Sequence, residues 1–250
     1  MKVAAYQAPV DSCYSHDAIV NIREQVRQCE ARGIEFLCCP EGTLGGLADY
    51  VDDPHEIAID INAGELDLVL APLASDVVTT IIGFTEVDAS GQLFNSAAVY
   101  HRGSVAGLYR KHHPAIRTSR YTAGTEAPVF TIGACTFGIL ICRDSLDDGL
   151  AARMVADGAR ALFIPTNNAM PPSRGGEELV REARELDLRR ATELGMAIVR
   201  ADVVGRKNGL FSFGASAVVD KSGKLRGVAR PGQPGLVVAE ICQPNPEELA

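Results

Sequence analysis

The run over residues 137–145, Phe-Gly-Ile-Leu-Ile-Cys-Arg-Asp-Ser, constrains this chain most. Its apolar first part, residues 137–141, reads as a strand buried on both faces, which demands a sheet covered by other elements. That strand delivers Cys142 to its end, followed at once by Arg143 and Asp144. Loops at the C-terminal ends of such strands are where α/β sheets place ligands. A thiol there is either a small buried hydrophobe or a nucleophile. Free cysteine is among the most buried residue types, so the rest of the chain has to decide.

Taken in order, residues 3–8 form a strand ended by Pro9. The spacing of Ile19, Ile22, Val26 and Cys29 predicts an amphipathic helix over 15–32, with Gly33 at its C-cap. Another apolar run over 34–39 ends in Pro40-Glu41-Gly42, so a carboxylate also sits at a strand end. A helix over 65–74 and a strand over 77–86 follow. Strands over 93–101 and 105–110 alternate as antiparallel ones do, and the second leads into Lys111, His112 and His113. Residues 114–128 read as a long loop. A hairpin over 129–132 and 136–141 returns to Cys142. A helix over 146–158, a strand over 161–165 ending in Thr166-Asn167-Asn168, a helix over 176–194, a strand over 197–203 and a meander over 215–219, 224–229 and 235–241 complete the chain. Strand–helix alternation with hairpins between predicts an α/β fold, a four-layer α-β-β-α sandwich of mixed sheets with helices outside. No Pro-, Gly- or Ser-rich linker divides it, so residues 1–250 read as one domain.

Composition removes several function classes. A formal net charge of -8 and no clustered Lys/Arg argue against a nucleic-acid or anionic-membrane partner. The chain has no run of apolar residues long enough to span a bilayer, and residues 1–7 read as a first strand rather than a signal peptide. Cysteines at 13, 29, 38, 39, 135, 142 and 242, two adjacent and odd in number, do not resemble a disulfide framework and point to a reducing cytoplasm. No His/Cys spacing suits a metal.

Glu41, Lys111 and Cys142 thus share one property: each follows a strand. Convergent strand ends would supply a nucleophile, a proton acceptor and a cation for an oxyanion, the parts of covalent acyl transfer. The chain resembles the carbon–nitrogen hydrolase (nitrilase) superfamily. Its Glu-Lys-Cys triad is matched by Pro40-Glu41-Gly42, by Tyr109-Arg110-Lys111-x-His113 and by Gly138-x-x-Ile141-Cys142-x-Asp144. Gly83-Phe84-x-Glu86, Phe94-Asn95-Ser96-Ala97, Arg190-Ala191 and Gly214-x-Ser216 agree in order and spacing. The resemblance implies the α-β-β-α fold, hydrolysis of a small linear amide or N-carbamoyl compound through a thioester on Cys142, proton transfer by Glu41, oxyanion stabilisation by Lys111 and the backbone N–H after Cys142, no cofactor, and a homodimer or higher homo-oligomer.

One departure stands out. Many relatives carry a second glutamate in the loop after the lysine, where this chain has Arg117, Thr118, Ser119 and Arg120; Glu126 and Glu86 are the substitutes at hand. Arg143, His113, Arg117 and Asn167 are the expected substrate-binding residues, and the surplus of cations points to a carboxylate-bearing amide. The competing expectation is that these arginines pair with Asp144, Asp147 and Asp148. Two alternatives for the whole chain remain: a nitrilase, and a catalytically altered binding or regulatory protein on the same fold.

Overall fold

The computed structural model describes residues 1–171 and 176–241; Cys242 lies outside them. Its strands are β1 (Lys2–Pro9), β2 (Phe36–Cys38), β3 (Ile59–Asp60), β4 (Thr79–Val87), β5 (Leu93–His101), β6 (Ser104–Arg110), β7 (Val129–Ile132), β8 (Cys135–Ile139), β9 (Ala161–Pro165), β10 (Ala197–Ala201), β11 (Val203–Lys207), β12 (Leu210–Ser212), β13 (Ala217–Val219), β14 (Leu225–Val228) and β15 (Gly235–Glu240). The helices are α1 (Ala18–Ala31), α2 (Glu65–Leu70), α3 (Asp148–Ala156) and α4 (Glu177–Leu194). One sheet runs β12-β11-β1-β2-β4-β5-β6, with β15 also on β1 and β3 also on β4. The other runs β14-β13-β10-β9-β8-β7. Both sheets are mixed: β1, β2 and β4 pair parallel, as do β8, β9 and β10, and antiparallel hairpins extend each edge.

The two-residue period of the strands builds the layers. Val3 and Ala5 of β1, Phe36 and Cys38 of β2 and Ile81 of β4 point into the core between the sheets. Ala4 and Tyr6, Leu37 and Cys39, and Ile82 point outward, onto Ile22, Val26 and Cys29 of α1 and Leu66 and Leu70 of α2. On the far side, Leu150, Ala151 and Met154 of α3 and Ala191 of α4 cover the second sheet. The sheets are joined by an aromatic cluster: Phe36 lies 5.5 Å from Phe137 and 5.6 Å from Phe163, and the latter two meet edge-on at 5.1 Å. The expected mixed α/β sandwich is therefore the fold observed.

The element ends differ from expectation for local reasons. α1 begins at Ala18 because the preceding residues wind into a separate 3-10 turn, Ser12–Tyr14. It closes as expected, with Gly33 at φ +60° and the Ile34 N–H returning to the Cys29 carbonyl. α2 stops at Leu70, where Pro72 turns the chain into a 3-10 segment. The helix expected over 146–158 starts at Asp148, since Asp147 serves as its N-cap and accepts the Leu150 N–H. The largest difference lies in the strand expected over 197–203. Ile198 and Arg200 pair in the second sheet, but Val203 pairs with Ala8 in the first, so the chain changes sheets at Asp202.

Candidate functional site

The ends of β2, β6 and β8 converge. After β2 the chain turns through Pro40 and buries Glu41, which is 2% exposed. That turn lies directly on β4: a Cβ built on Gly83 would sit 2.5 Å from the Pro40 carbonyl and 2.9 Å from the Glu41 Cα. Only a residue without a side chain lets the glutamate turn approach this closely. Glu41 Oε1 accepts from Lys111 Nζ at 2.5 Å and from Asn95 Nδ2 at 2.7 Å, while Oε2 accepts the Asn167 N–H at 3.0 Å. Lys111 is as buried as its partner, so the pair is an ion pair shielded from water.

Lys111 is held at the end of β6 by its N–H to the Asn95 carbonyl and by the Gly124 N–H to its own carbonyl, each 2.8 Å. Cys142 opens a 3-10 turn, Cys142–Leu146, at φ +47°, a left-handed conformation costly for a residue with a side chain. The turn is fastened by Asp144, which is fully buried. Its carboxylate accepts from Tyr109 Oη at 2.8 Å and from the N–H groups of Ile141, His112 and His113 at 3.2, 3.3 and 2.8 Å. One carboxylate thereby joins the segment that follows Lys111 to the turn that presents Cys142.

Burial pushes the Cys142 thiol up to about 12; the Glu41 charge adds to the rise and Lys111 opposes it. Burial alone would lower Lys111, but the Glu41 carboxylate beside it outweighs burial and the ammonium is held above its ordinary range. At neutral pH the resting site is a neutral thiol beside a charged Lys111. Nucleophilic attack therefore requires a proton acceptor at the moment of reaction, and Glu41 is the carboxylate present.

Cys142 opens onto a cleft of about 250 Å³. Leu179, Ala183 and Leu186 of α4 form an apolar wall; Arg143, Asn168 and Arg200 bring polar groups to it. Arg200 is buried in a bidentate pair with Asp187 of α4, at 2.6 and 2.7 Å, and also donates to Thr166 and Ser145.

The expected substrate residues separate. Arg143 lines the cleft and donates to the Ala115 carbonyl at 3.4 Å. Asn167 contributes its backbone N–H to Glu41. His113 is turned to Asp147 at 2.9 Å, and Arg117 is exposed; neither lines the cleft. Arg120 bonds the carbonyls of Ala48, Val51 and Asp52. The expected pairing of Arg117, Arg120 or Arg143 with the aspartates is not the one formed: Asp148 takes Arg190 and Arg189 of α4, Asp144 takes Tyr109 and backbone N–H groups, and Asp147 takes His113. Glu86 is engaged by Arg110 and Ser96, and Glu126 is exposed, its carbonyl bonded to His112. Neither substitute carboxylate bonds Lys111. Among the described residues no His/Cys/Asp/Glu group suits a metal ion, and no helix is long and apolar enough to cross a membrane.

Asn95, Asp202, Asp187 and Arg200 were not singled out from the sequence as site residues. Asn95 carried a signal, a polar residue inside an apolar strand. The other three depend on the chain's change of sheet and on α4 packing, which leave no local trace.

The family model for carbon–nitrogen hydrolases matches residues 2–248. Glutamine-dependent NAD(+) synthetase from Xylella fastidiosa is 28% identical over 237 residues, 91% of this chain and 41% of that protein. The Thermotoga maritima synthetase is 26% identical over 212 residues, 81% of this chain and 35% of that protein. The chain thus spans about two-fifths of the length of these curated relatives. Among solved structures, a carbon–nitrogen hydrolase from Helicobacter pylori G27 superposes with TM-score 0.80 at 22% identity, covering 96% of this chain and 88% of that one. A variant of the Nesterenkonia AN1 amidase from the nitrilase superfamily gives 0.76 at 22%, covering 96% and 89%. At such identities the structures speak to fold.

Proposed function

The chain belongs to the carbon–nitrogen hydrolase family, and within it we propose a cysteine amidohydrolase that cleaves the C–N bond of a small linear amide or N-carbamoyl compound. The observation that carries this reading is the buried Glu41–Lys111 pair beside a thiol set at positive φ on the floor of a small cleft. As substrate binds, Glu41 takes the Cys142 proton and Sγ attacks the carbonyl carbon. The oxyanion is met by Lys111 and by the Arg143 N–H. Collapse breaks the C–N bond, Glu41 returns its proton to the departing nitrogen, and a thioester remains on Cys142. Water, deprotonated by Glu41, attacks that thioester; the acid leaves and the thiol is restored.

The size of the cleft favours a small acyl group, and Arg143 favours one ending in a carboxylate. A second reading, that the amide is the side chain of an amino acid such as glutamine, draws on the glutamine dependence in the names of the curated relatives. It also draws on Glu182, which shares the cleft with Arg143 and would face an ammonium. The test is ammonia release from short aliphatic amides, monoamides of dicarboxylic acids, glutamine, ureido acids and nitriles, in parallel on wild type and Cys142→Ala. Turnover of an amide or ureido acid that disappears in the variant is expected. Turnover that survives it overturns the mechanism, and activity confined to nitriles overturns the amidase assignment.

A further inference from the structure

The strand after Cys142's own, β9, ends in two consecutive asparagines, and the chain treats them differently. Asn167 turns its backbone N–H to Glu41 at 3.0 Å. Asn168 turns its side chain to the cleft, with Oδ1 4.0 Å from Cys142 Sγ. The orientation of that amide is set from behind. Asp202 is fully buried, and each of its carboxylate oxygens accepts two N–H groups. Oδ1 takes those of Asn168 at 3.0 Å and Val203 at 2.8 Å. Oδ2 takes Asn168 Nδ2 at 3.1 Å and the Ala215 N–H at 2.9 Å. All four contacts come from N–H donors, and the NH2 edge of Asn168 is the one that faces the carboxylate. The carbonyl edge is left pointing at the nucleophile.

From this we infer that Asn168 Oδ1 is the acceptor for an N–H of the scissile carboxamide, with Asp202 as the positioning residue that keeps the oxygen facing the thiol. The inference rests on the amidohydrolase reading above and adds what selects the leaving group. A substrate carbon set over Sγ, with its oxygen toward Lys111, leaves its nitrogen between Glu41 and Asn168. Glu41 donates a proton to that nitrogen as the C–N bond breaks. The N–H that faces Asn168 becomes more acidic in the same step, so its bond to Oδ1 strengthens toward the transition state and accelerates the chemistry rather than merely binding the ground state. No covalent change occurs at Asn168. An ester of the same acyl group has no N–H to give and gains nothing from it.

The experiment compares butyramide with methyl butyrate, and the monoamide of glutaric acid with its monomethyl ester, on wild type, Asn168→Ala and Asp202→Asn. Leaving a desolvated N–H without an acceptor corresponds to a loss of roughly 10- to 100-fold. The expected result is that kcat/KM for the amides falls by that factor in Asn168→Ala, mainly through kcat, while ester turnover stays within about threefold. Asp202→Asn, which offers an NH2 to Asn168 and lets its amide rotate, should shift the amide-to-ester ratio in the same direction. Ester turnover requires a folded cleft and a competent Cys142, so it reports on folding in both variants. Equal losses on amide and ester, or an unchanged amide rate, overturn the role of Asn168 and leave the amidohydrolase reading standing. Wild type that releases no acid from these four compounds and no ammonia from the wider panel of amides and ureido acids above overturns both.

Discussion

At the scale of single residues the site depends on where protons rest. The Cys142 thiol is pushed up to about 12, with burial the first cause and Glu41 the second, so a preformed thiolate is not the resting nucleophile at neutral pH. Replacing Glu41 by Gln removes a negative charge that favours the protonated thiol, and the sign follows: the Cys142 titration should move to lower pH although turnover is lost. Ultraviolet thiolate absorbance against pH, taken as the difference from a Cys142→Ser control, measures it. A midpoint that rises or stays in Glu41→Gln would contradict the electrostatics described here. The three residues were legible as types at strand ends: Glu41 and Cys142 follow buried apolar runs, and Lys111 follows an alternating, partly exposed strand. Asn95, which donates to Glu41, was legible only as a motif, since a strand residue's facing depends on register.

Elements decide how close those residues come. The glutamate turn rests on β4 at Gly83, where any Cβ would collide with the backbone of Pro40, Glu41 and Gly42. Gly83→Ala is therefore expected to displace Glu41 rather than to unfold the protein. An overpacked position of this kind costs about 1–3 kcal/mol. Thermal unfolding should show a modest fall in Tm, while amide turnover falls by orders of magnitude; full activity in the variant would mean that the turn tolerates the shift. The same element scale explains the cleft wall. Leu179, Ala183 and Leu186 recur at helical spacing in the sequence, but such spacing does not say what a stripe covers. In the structure it faces the cleft, and Asp187, one residue on, secures α4 to Arg200 of β10.

Across the whole molecule, two mixed sheets meet through Phe36, Phe137 and Phe163, and the strand ends that carry the site come from both of them. Phe163→Ala should cost about 3–5 kcal/mol. Because both sheets lose the same contact, chemical denaturation should still show one transition, at lower denaturant; two separated transitions would show that the sheets unfold independently. The layer plan and the reactive residue types are written in the residues themselves, because two-residue and helical periodicities are local and Gly, Pro and charged residues mark where elements stop. So are the strand ends at which Glu41, Lys111 and Cys142 appear. That these ends face one another, and that Asp144 joins two of them, follows from how the sheets pack. The same holds for the change of sheet at Asp202, which places a buried carboxylate behind Asn168. Those arrangements rest on backbone donors brought together from distant parts of the chain, and such a meeting has no signature in the residues near either partner.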